Sequence, residues 1–265
     1  MTPAKFRTLV QRHYRKEGRH LLPWRKTRDV YRILVSEVML QQTQVERVVP
    51  FYNNFIKQFP TAKKLAAAPL AEVLKAWQGL GYNRRAKMLR KAGGVLVSRK
   101  ITTIPELEAL PGVGPYTARA VAAFAWNEDV IFIETNIRTT VIQHFFPHKK
   151  EISDKEIEKI LLQALPKGRA REWYSALMDY GAALKRSGIS HNARNKTYKK
   201  QSKFAGSLRE VRGAILRALL QKPAKKNSLR LLFPEREAQI ETALAALVKE
   251  GLIREQKGEY ALAEG

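Results

Sequence analysis

Three stretches bring together residue types able to do chemistry. In Ser36-Glu-Val-Met-Leu-Gln-Gln-Thr-Gln44, Glu37, Gln41 and Gln44 recur at i, i+4 and i+7, a single polar stripe on a helix otherwise rich in Leu, Val and Met. A carboxylate beside that much apolar surface keeps its proton to higher pH and can act as a general acid near neutrality. The same spacing also suits a stripe that simply faces solvent. In Ile131-Phe-Ile-Glu-Thr-Asn-Ile-Arg138, Glu134 follows an apolar run and precedes Asn136 and Arg138; an acidic helix start has the same pattern. In Leu110-Pro-Gly-Val-Gly-Pro-Tyr-Thr117, two glycines stand between helices. Such a turn can point its backbone N–H groups outward beside a helix N-terminus, which suits a phosphate, and it suits an ordinary helix–helix connection equally.

Little else in the chain offers chemistry. Cysteine is absent, which excludes disulfides, thiolate-bound zinc, iron–sulfur clusters and cysteine nucleophiles and fits a reducing cytoplasm. His144 and His148 are four apart with no third ligand nearby, so no metal site is expected. His13, His20 and His191 have no evident partners. Lys and Arg number 49 against 24 Asp and Glu, a formal net charge of +25. A folded chain so basic repels itself unless it meets a polyanion, and nucleic acid is the commonest one. The charge is spread through mixed segments, which disfavours a membrane surface. No apolar run reaches a membrane span, and the arginine-rich start reads as no secretory signal.

The elements that must position these residues are helical nearly throughout. Leu34, Val35, Val38 and Met39 recur at helical spacing, as do residues 48–59, 70–77, 84–97, 117–126 and 154–165. Ser153 with Glu156 reads as a capping box. Only Val130–Ile133 looks strand-like. Residues 186–206 are polar and basic, either a solvated linker or a segment lying on phosphates. Beyond them, helices over 211–220 and 235–250 precede a hairpin around Lys257-Gly258, which suggests a winged-helix-like module over 207–265.

Taken together, the stretches resemble the helix-hairpin-helix DNA glycosylases, and within them the MutY-type adenine glycosylases, over roughly residues 20–185. The resemblance rests on Leu22-Pro-Trp-Arg25, Ser36-Glu-Val-Met-Leu-Gln-Gln-Thr-Gln-Val45, Phe59-Pro60, Ala68-Pro-Leu70, Trp77-Gln-Gly-Leu-Gly-Tyr82, Leu110-Pro-Gly-Val-Gly114 and Met178-Asp-Tyr-Gly-Ala182. It implies an all-α, two-lobed core over 1–185, with one lobe of about 26–133 and the other from 1–25 and 134–185. It further implies that Glu37 protonates the purine leaving group, that the carboxylate of Glu134 faces the sugar, and that Tyr116 stands where lyase relatives carry a lysine. A tyrosine offers no amine for a Schiff base, so excision should leave the abasic site uncut. Gln41 and Gln42 would sit at the lesion, Tyr82 would wedge into the stack, and Leu110, Gly112, Val113 and Gly114 would grip a phosphate. The basic residues Arg25, Arg84, Arg85, Lys199 and Lys200 would add DNA contacts.

The chain departs from the family pattern in three places. The four cysteines that usually hold an iron–sulfur cluster after the Asp-Tyr-Gly-Ala stretch are absent, so no cofactor is expected. The C-terminal module is not the usual nucleotide-hydrolase-like domain. The sugar-facing residue is glutamate instead of aspartate. The implied activity is excision of adenine opposite guanine or 8-oxoguanine in duplex DNA by a cytoplasmic, nucleoid-associated monomer. Excision of another base, or mismatch binding without chemistry, are the alternatives.

Overall fold

The structure is a computed structural model that describes residues 1–195, 198 and 201–264. In chain order the helices are α1 (Pro3–Glu17), α2 (Val30–Leu40), α3 (Val45–Gln58), α4 (Ala62–Ala67), α5 (Leu70–Trp77), α6 (Arg84–Ser98), α7 (Ile104–Glu108), α8 (Pro115–Val121), α9 (Thr135–Phe145), α10 (Asp154–Ala164) and α11 (Ala170–Arg186). There follow α12 (Leu208–Leu219), β1 (Ala224–Lys225), α13 (Lys226–Arg230), α14 (Glu237–Lys249), β2 (Ile253–Gln256) and β3 (Glu259–Leu262). Short polar residues start many of the helices. The hydroxyls of Thr2, Thr61 and Thr103 each accept a hydrogen bond from the backbone N–H three residues on, which satisfies a donor the helix itself leaves free. Ser153 and Glu156 form the expected capping box at the start of α10.

Val130–Ile133 is not a strand. It is extended but irregular, because other groups take up what a ladder would have used. The Tyr174 hydroxyl donates to the Val130 carbonyl at 2.6 Å, and Phe132 stacks on the Tyr174 ring with centroids 3.9 Å apart.

The chain forms two compact units. The first comprises Met1–Glu37, Thr102–Ala109 and Val113–Lys200. Its core joins Phe6 and Val10 of α1 to Ala120 of α8, Ile137 and Val141 of α9, Leu161 of α10 and Trp173 of α11. The second comprises Val38–Ile101, Leu110–Gly112 and Gln201–Gly265. These lines differ from the lobes drawn at 25/26 and 133/134 from the sequence. The small residues Ala120 and Ala123 are buried in the same core as Phe6 and Trp173, which draws α8 into the first unit.

Within the second unit, residues 208–262 run helix, strand, two helices and a hairpin, with antiparallel strands in the order β1-β3-β2. This order of elements is winged-helix-like. Lys257 and Gly258 both have positive φ, at 51° and 78°, the conformation of a type I′ hairpin turn. Lys87 of α6 donates to the Glu250 and Gly251 carbonyls at 2.7 and 2.8 Å. It thereby caps the C-terminal end of α14, where orphan carbonyls favour a cation.

Candidate active site

In the first unit, α2 buries Glu37 among apolar neighbours, with only 5% of the residue exposed. The Tyr116 hydroxyl hydrogen-bonds its carboxyl. Burial pushes the Glu37 carboxyl up to about 8, and the like charge of Glu134 adds to the rise; the Tyr116 hydrogen bond and the more distant Arg25 charge oppose it. Near neutral pH this group therefore carries a proton in a water-poor setting. Burial, with the charges of Glu37 and Glu134, raises the Tyr116 phenol well above its ordinary value, so it remains a neutral donor.

Glu134 is the N-cap of α9. Its Oε1 accepts the N–H groups of Asn136 and Ile137, both at 2.7 Å. Its Oε2 accepts from Asn136 Nδ2 and Thr135 Oγ1, both at 3.2 Å. The helix-start pattern seen in the sequence and the acidic neighbour of Glu37 are thus one residue, and its carboxylate is fixed by four hydrogen bonds. Lys185, which the sequence placed only at the edge of a basic linker, reaches back from α11 and donates to Thr135 Oγ1 at 2.9 Å. Burial lowers its ammonium pKa and the charge of Glu134 offsets part of that.

Gly181 of α11 explains how closely α9 can approach. A Cβ there would lie 2.2 Å from the Asn136 carbonyl oxygen, two residues past Glu134. Asp179, two residues earlier in α11, accepts a bidentate pair from Arg25 at 2.6 and 2.9 Å and two bonds from Arg19. Burial alone would raise the Asp179 carboxyl, but the hydrogen bonds and charges of Arg25 and Arg19 hold it below its ordinary value. Arg25, a residue the resemblance would put near DNA, makes this ion pair in the structure.

In the second unit, the expected helical stripe breaks. α2 stops at Leu40, and Gln42 adopts a left-handed conformation with φ of 57°, so Gln41 and Gln44 lie beyond the helix end. Tyr82 is left-handed too, with φ of 48°. Both are uncommon for residues with a Cβ.

One guanidinium supports both loops. Arg85 donates to the carbonyls of Val38 and Gln41 at 2.6 and 2.7 Å and of Gly81 at 3.2 Å. It also lies 5.4 Å from the ring centroids of Trp77 and Tyr82. Burial lowers its pKa to about 10. Arg85 is therefore a brace: its two terminal nitrogens are taken by backbone carbonyls, while its Nε is buried without a partner. Lys87 and Arg90 of the same basic run are likewise occupied by carbonyls. Arg84 is exposed.

Gly112, with φ of 77°, passes so close to α6 that a Cβ would lie 2.6 Å from Met88 Cβ. Leu110 and Val113 are buried, leaving backbone as what this turn offers a ligand, while Gly114 is exposed at the N-cap of α8.

Lys199 and Lys200 lie outside the described residues. The segment before them is tied down in the first unit. Arg194 donates to the Lys149 and Phe146 carbonyls, and Asn195 Nδ2 donates to Asp154 Oδ1 at 2.8 Å and the Ile152 carbonyl at 3.1 Å. A cluster does not fit here, since the chain supplies no thiolate. Among the described residues no three His, Asp or Glu side chains group as metal ligands, and no helix is long and apolar enough to cross a membrane.

Residues 35–167 match the model of the HhH-GPD superfamily base excision DNA repair proteins. The chain belongs to that family. The match takes in Glu37, Gln41, Gln42, Tyr82, Tyr116 and Glu134, while Asp179 and Gly181 lie beyond it. The chain is 36% identical over 270 residues to the adenine DNA glycosylase of Mycolicibacterium smegmatis, covering 93% of this chain and 92% of that one. It is 33% identical to the adenine DNA glycosylase of Mycobacterium tuberculosis (strain CDC 1551 / Oshkosh), covering 91% and 88%. Among solved structures, a thermostable thymine-DNA glycosylase shares the fold with a TM-score of 0.59 at 24% identity, covering 68% of this chain and 86% of that one.

Proposed function

We propose that this chain is a monofunctional DNA glycosylase that removes adenine mispaired with guanine or 8-oxoguanine from duplex DNA, acting as a monomer on the nucleoid and needing no cofactor. The observation that carries the reading is the buried Glu37 carboxyl, held by Tyr116 beside Glu134 and protonated near neutral pH. The names of the relatives that match most of the chain supply the base.

Adenine is a poor leaving group as an anion. Glu37 gives its proton to a ring nitrogen of the flipped base, so the N-glycosidic bond breaks with its electron pair going to neutral adenine. The sugar becomes oxocarbenium-like. The Glu134 carboxylate, pinned by its four hydrogen bonds, stabilises that positive charge without having to reorganise. Water then adds to the sugar carbon, and its proton restores Glu37. Tyr116 holds the Glu37 carboxyl and, lacking an amine, forms no Schiff base, so the abasic strand stays uncut. Exposed Gln42 and half-buried Tyr82 meet the mispair, and the backbone of Gly112 and Gly114 meets phosphate.

The test is excision from duplexes carrying A:G, A:8-oxoguanine, T:G and A:T, with and without alkali, plus borohydride trapping. Adenine release that needs alkali for strand cleavage, with no trapped adduct, is the expected result. Release of thymine but not adenine, or binding with no release of any base, would overturn it.

A further inference from the structure

Tyr82 and Gln42 lie on different loops, and one part of the chain far away in sequence reaches both. Gln201 Nε2 donates to the Tyr82 hydroxyl at 2.6 Å and lies 3.3 Å from Gln42 Oε1. Arg209, in the first turn of α12, donates to the same hydroxyl at 3.1 Å. Its guanidinium also lies 5.5 Å from the Tyr82 ring centroid and donates to the Ser202 carbonyl at 2.6 Å. All these groups belong to the second unit. The Tyr82 hydroxyl thus accepts two hydrogen bonds, which leaves its proton for an acceptor outside the protein. Its ring has one guanidinium from α6 and another from α12. A left-handed aromatic residue costs energy and persists where its surroundings over-determine it. Arg85 supplies that from the backbone side, and Gln201 with Arg209 supply it at the hydroxyl. A cavity of about 540 Å³ opens beside the ring, bordered by Gln42, Arg47, Gln78, Tyr82, Arg209 and Arg217. Among the described residues no acidic side chain lines it, so a DNA strand would meet no like charge from them there.

We propose that Gln201, in the segment preceding the C-terminal module, and Arg209, within that module, are positioning residues that set Tyr82 and Gln42 for discriminating a mispair from normal duplex. The proposal rests on the reading above that the chain excises adenine and that Tyr82 probes the duplex. It gives the winged-helix-like module a part in recognition that does not require it to touch the mispaired bases.

The experiment measures single-turnover excision from a mispaired adenine duplex and its inhibition by fully paired duplex, and takes the ratio as discrimination. Arg209→Ala and Tyr82→Phe should each lower discrimination by about three- to tenfold, the worth of one hydrogen bond. The double variant should lose clearly less than the product of the two single losses, because both remove the bond between Arg209 and the Tyr82 hydroxyl. Arg209→Lys should fail to rescue, since an ammonium cannot serve ring, hydroxyl and carbonyl from one plane. Gln201→Ala, at an exposed position, carries the same test should Arg209→Ala melt early. Additive losses would overturn the proposal. So would full rescue by Arg209→Lys together with a salt slope shallower by about 0.9 in Arg209→Ala, the mark of a simple phosphate contact. If Tyr82→Ala keeps normal discrimination, the role of Tyr82 itself falls; if Tyr82→Ala loses discrimination while Arg209→Ala and Gln201→Ala keep it, only the positioning role falls.

Discussion

Replacing Gly181 by alanine would put a methyl group 2.2 Å from the Asn136 carbonyl oxygen and 2.6 Å from its carbon. Both neighbours are backbone, so no side chain can swing aside. Restoring an ordinary contact of about 3.4 Å requires α11 and the first turn of α9 to part by more than an ångström. The strain of such overpacking is about 1–3 kcal/mol. The catalytic effect should be larger. Glu134 caps that same turn through the N–H groups of Asn136 and Ile137, so its carboxylate travels with the helix start. A misplacement of ~1 Å in a reacting geometry costs on the order of 10²-fold. Gly181→Ala should therefore fold, melt a few degrees lower, and excise adenine about a hundredfold more slowly at saturating enzyme. The assay is single-turnover excision well below the melting point measured by calorimetry. A folded Gly181→Ala protein that excises at the wild-type rate would refute the idea that this close approach places Glu134.

Four further outcomes are expected. Excision by the wild type should decline as pH rises through about 8, where Glu37 loses its proton, and Glu37→Gln should cost ~10²–10⁴-fold; a rate independent of pH from 6 to 9 would contradict this. The same residue bears on stability: between its ordinary 4.5 and about 8 the native state binds more protons than the unfolded chain, so stability falls with rising pH across that window, and Glu37→Gln should gain more melting temperature at pH 8 than at pH 5. Glu134→Asp should keep the helix cap yet withdraw the carboxylate by roughly one bond, ~1.5 Å, and lose rate, while Glu134→Gln should keep the cap and abolish excision; melting curves against rates separate the two. Finally, Arg84→Ala should flatten the dependence of log K on log salt by about 0.9, whereas Lys87→Ala, which uncaps α14, should lower the melting point and leave that slope alone.

How far these features could be read from the sequence depended on how local their causes are. The capping box of Ser153 and Glu156, the Lys257-Gly258 turn and the helix carrying Glu37 each depend on neighbours within a few residues, and each was legible. Arg85 was not. A basic run looks alike whether its donors meet phosphate or carbonyls, and the carbonyls of Val38 and Gln41 lie more than forty residues away. Arg25 misled for the same reason, its partner Asp179 being 154 residues on. The stripe Glu37, Gln41, Gln44 assumed a helix that continues, and nothing in the pattern signals the left-handed turn at Gln42. Val130–Ile133 has the residue types of a strand, but strand formation needs a partner strand, and the Tyr174 hydroxyl took the hydrogen bond instead. The helix cap of Glu134 was legible in the sequence, without any sign that it would also set this carboxylate beside Glu37.

The ion pairs of Asp179 with Arg19 and Arg25, and the hydrogen bond from Arg7 to the Ala164 carbonyl, join the beginning of the chain to segments some 150–160 residues later. During synthesis, α1 therefore emerges long before anything that can cover Phe6 and Val10. Those side chains wait until the ribosome has delivered α9 to α11. Closing so long a loop is entropically slow, and an apolar helix left uncovered meanwhile is the kind of surface that chaperones bind and that aggregates at high expression. The carboxyl of Glu37, proposed above as the acid, lies in the same late-forming unit, so activity should be among the last properties a nascent chain acquires. A chain released before Ala170 would lack α11, and with it the Asp179 clamp and the Gly181 contact that seats α9.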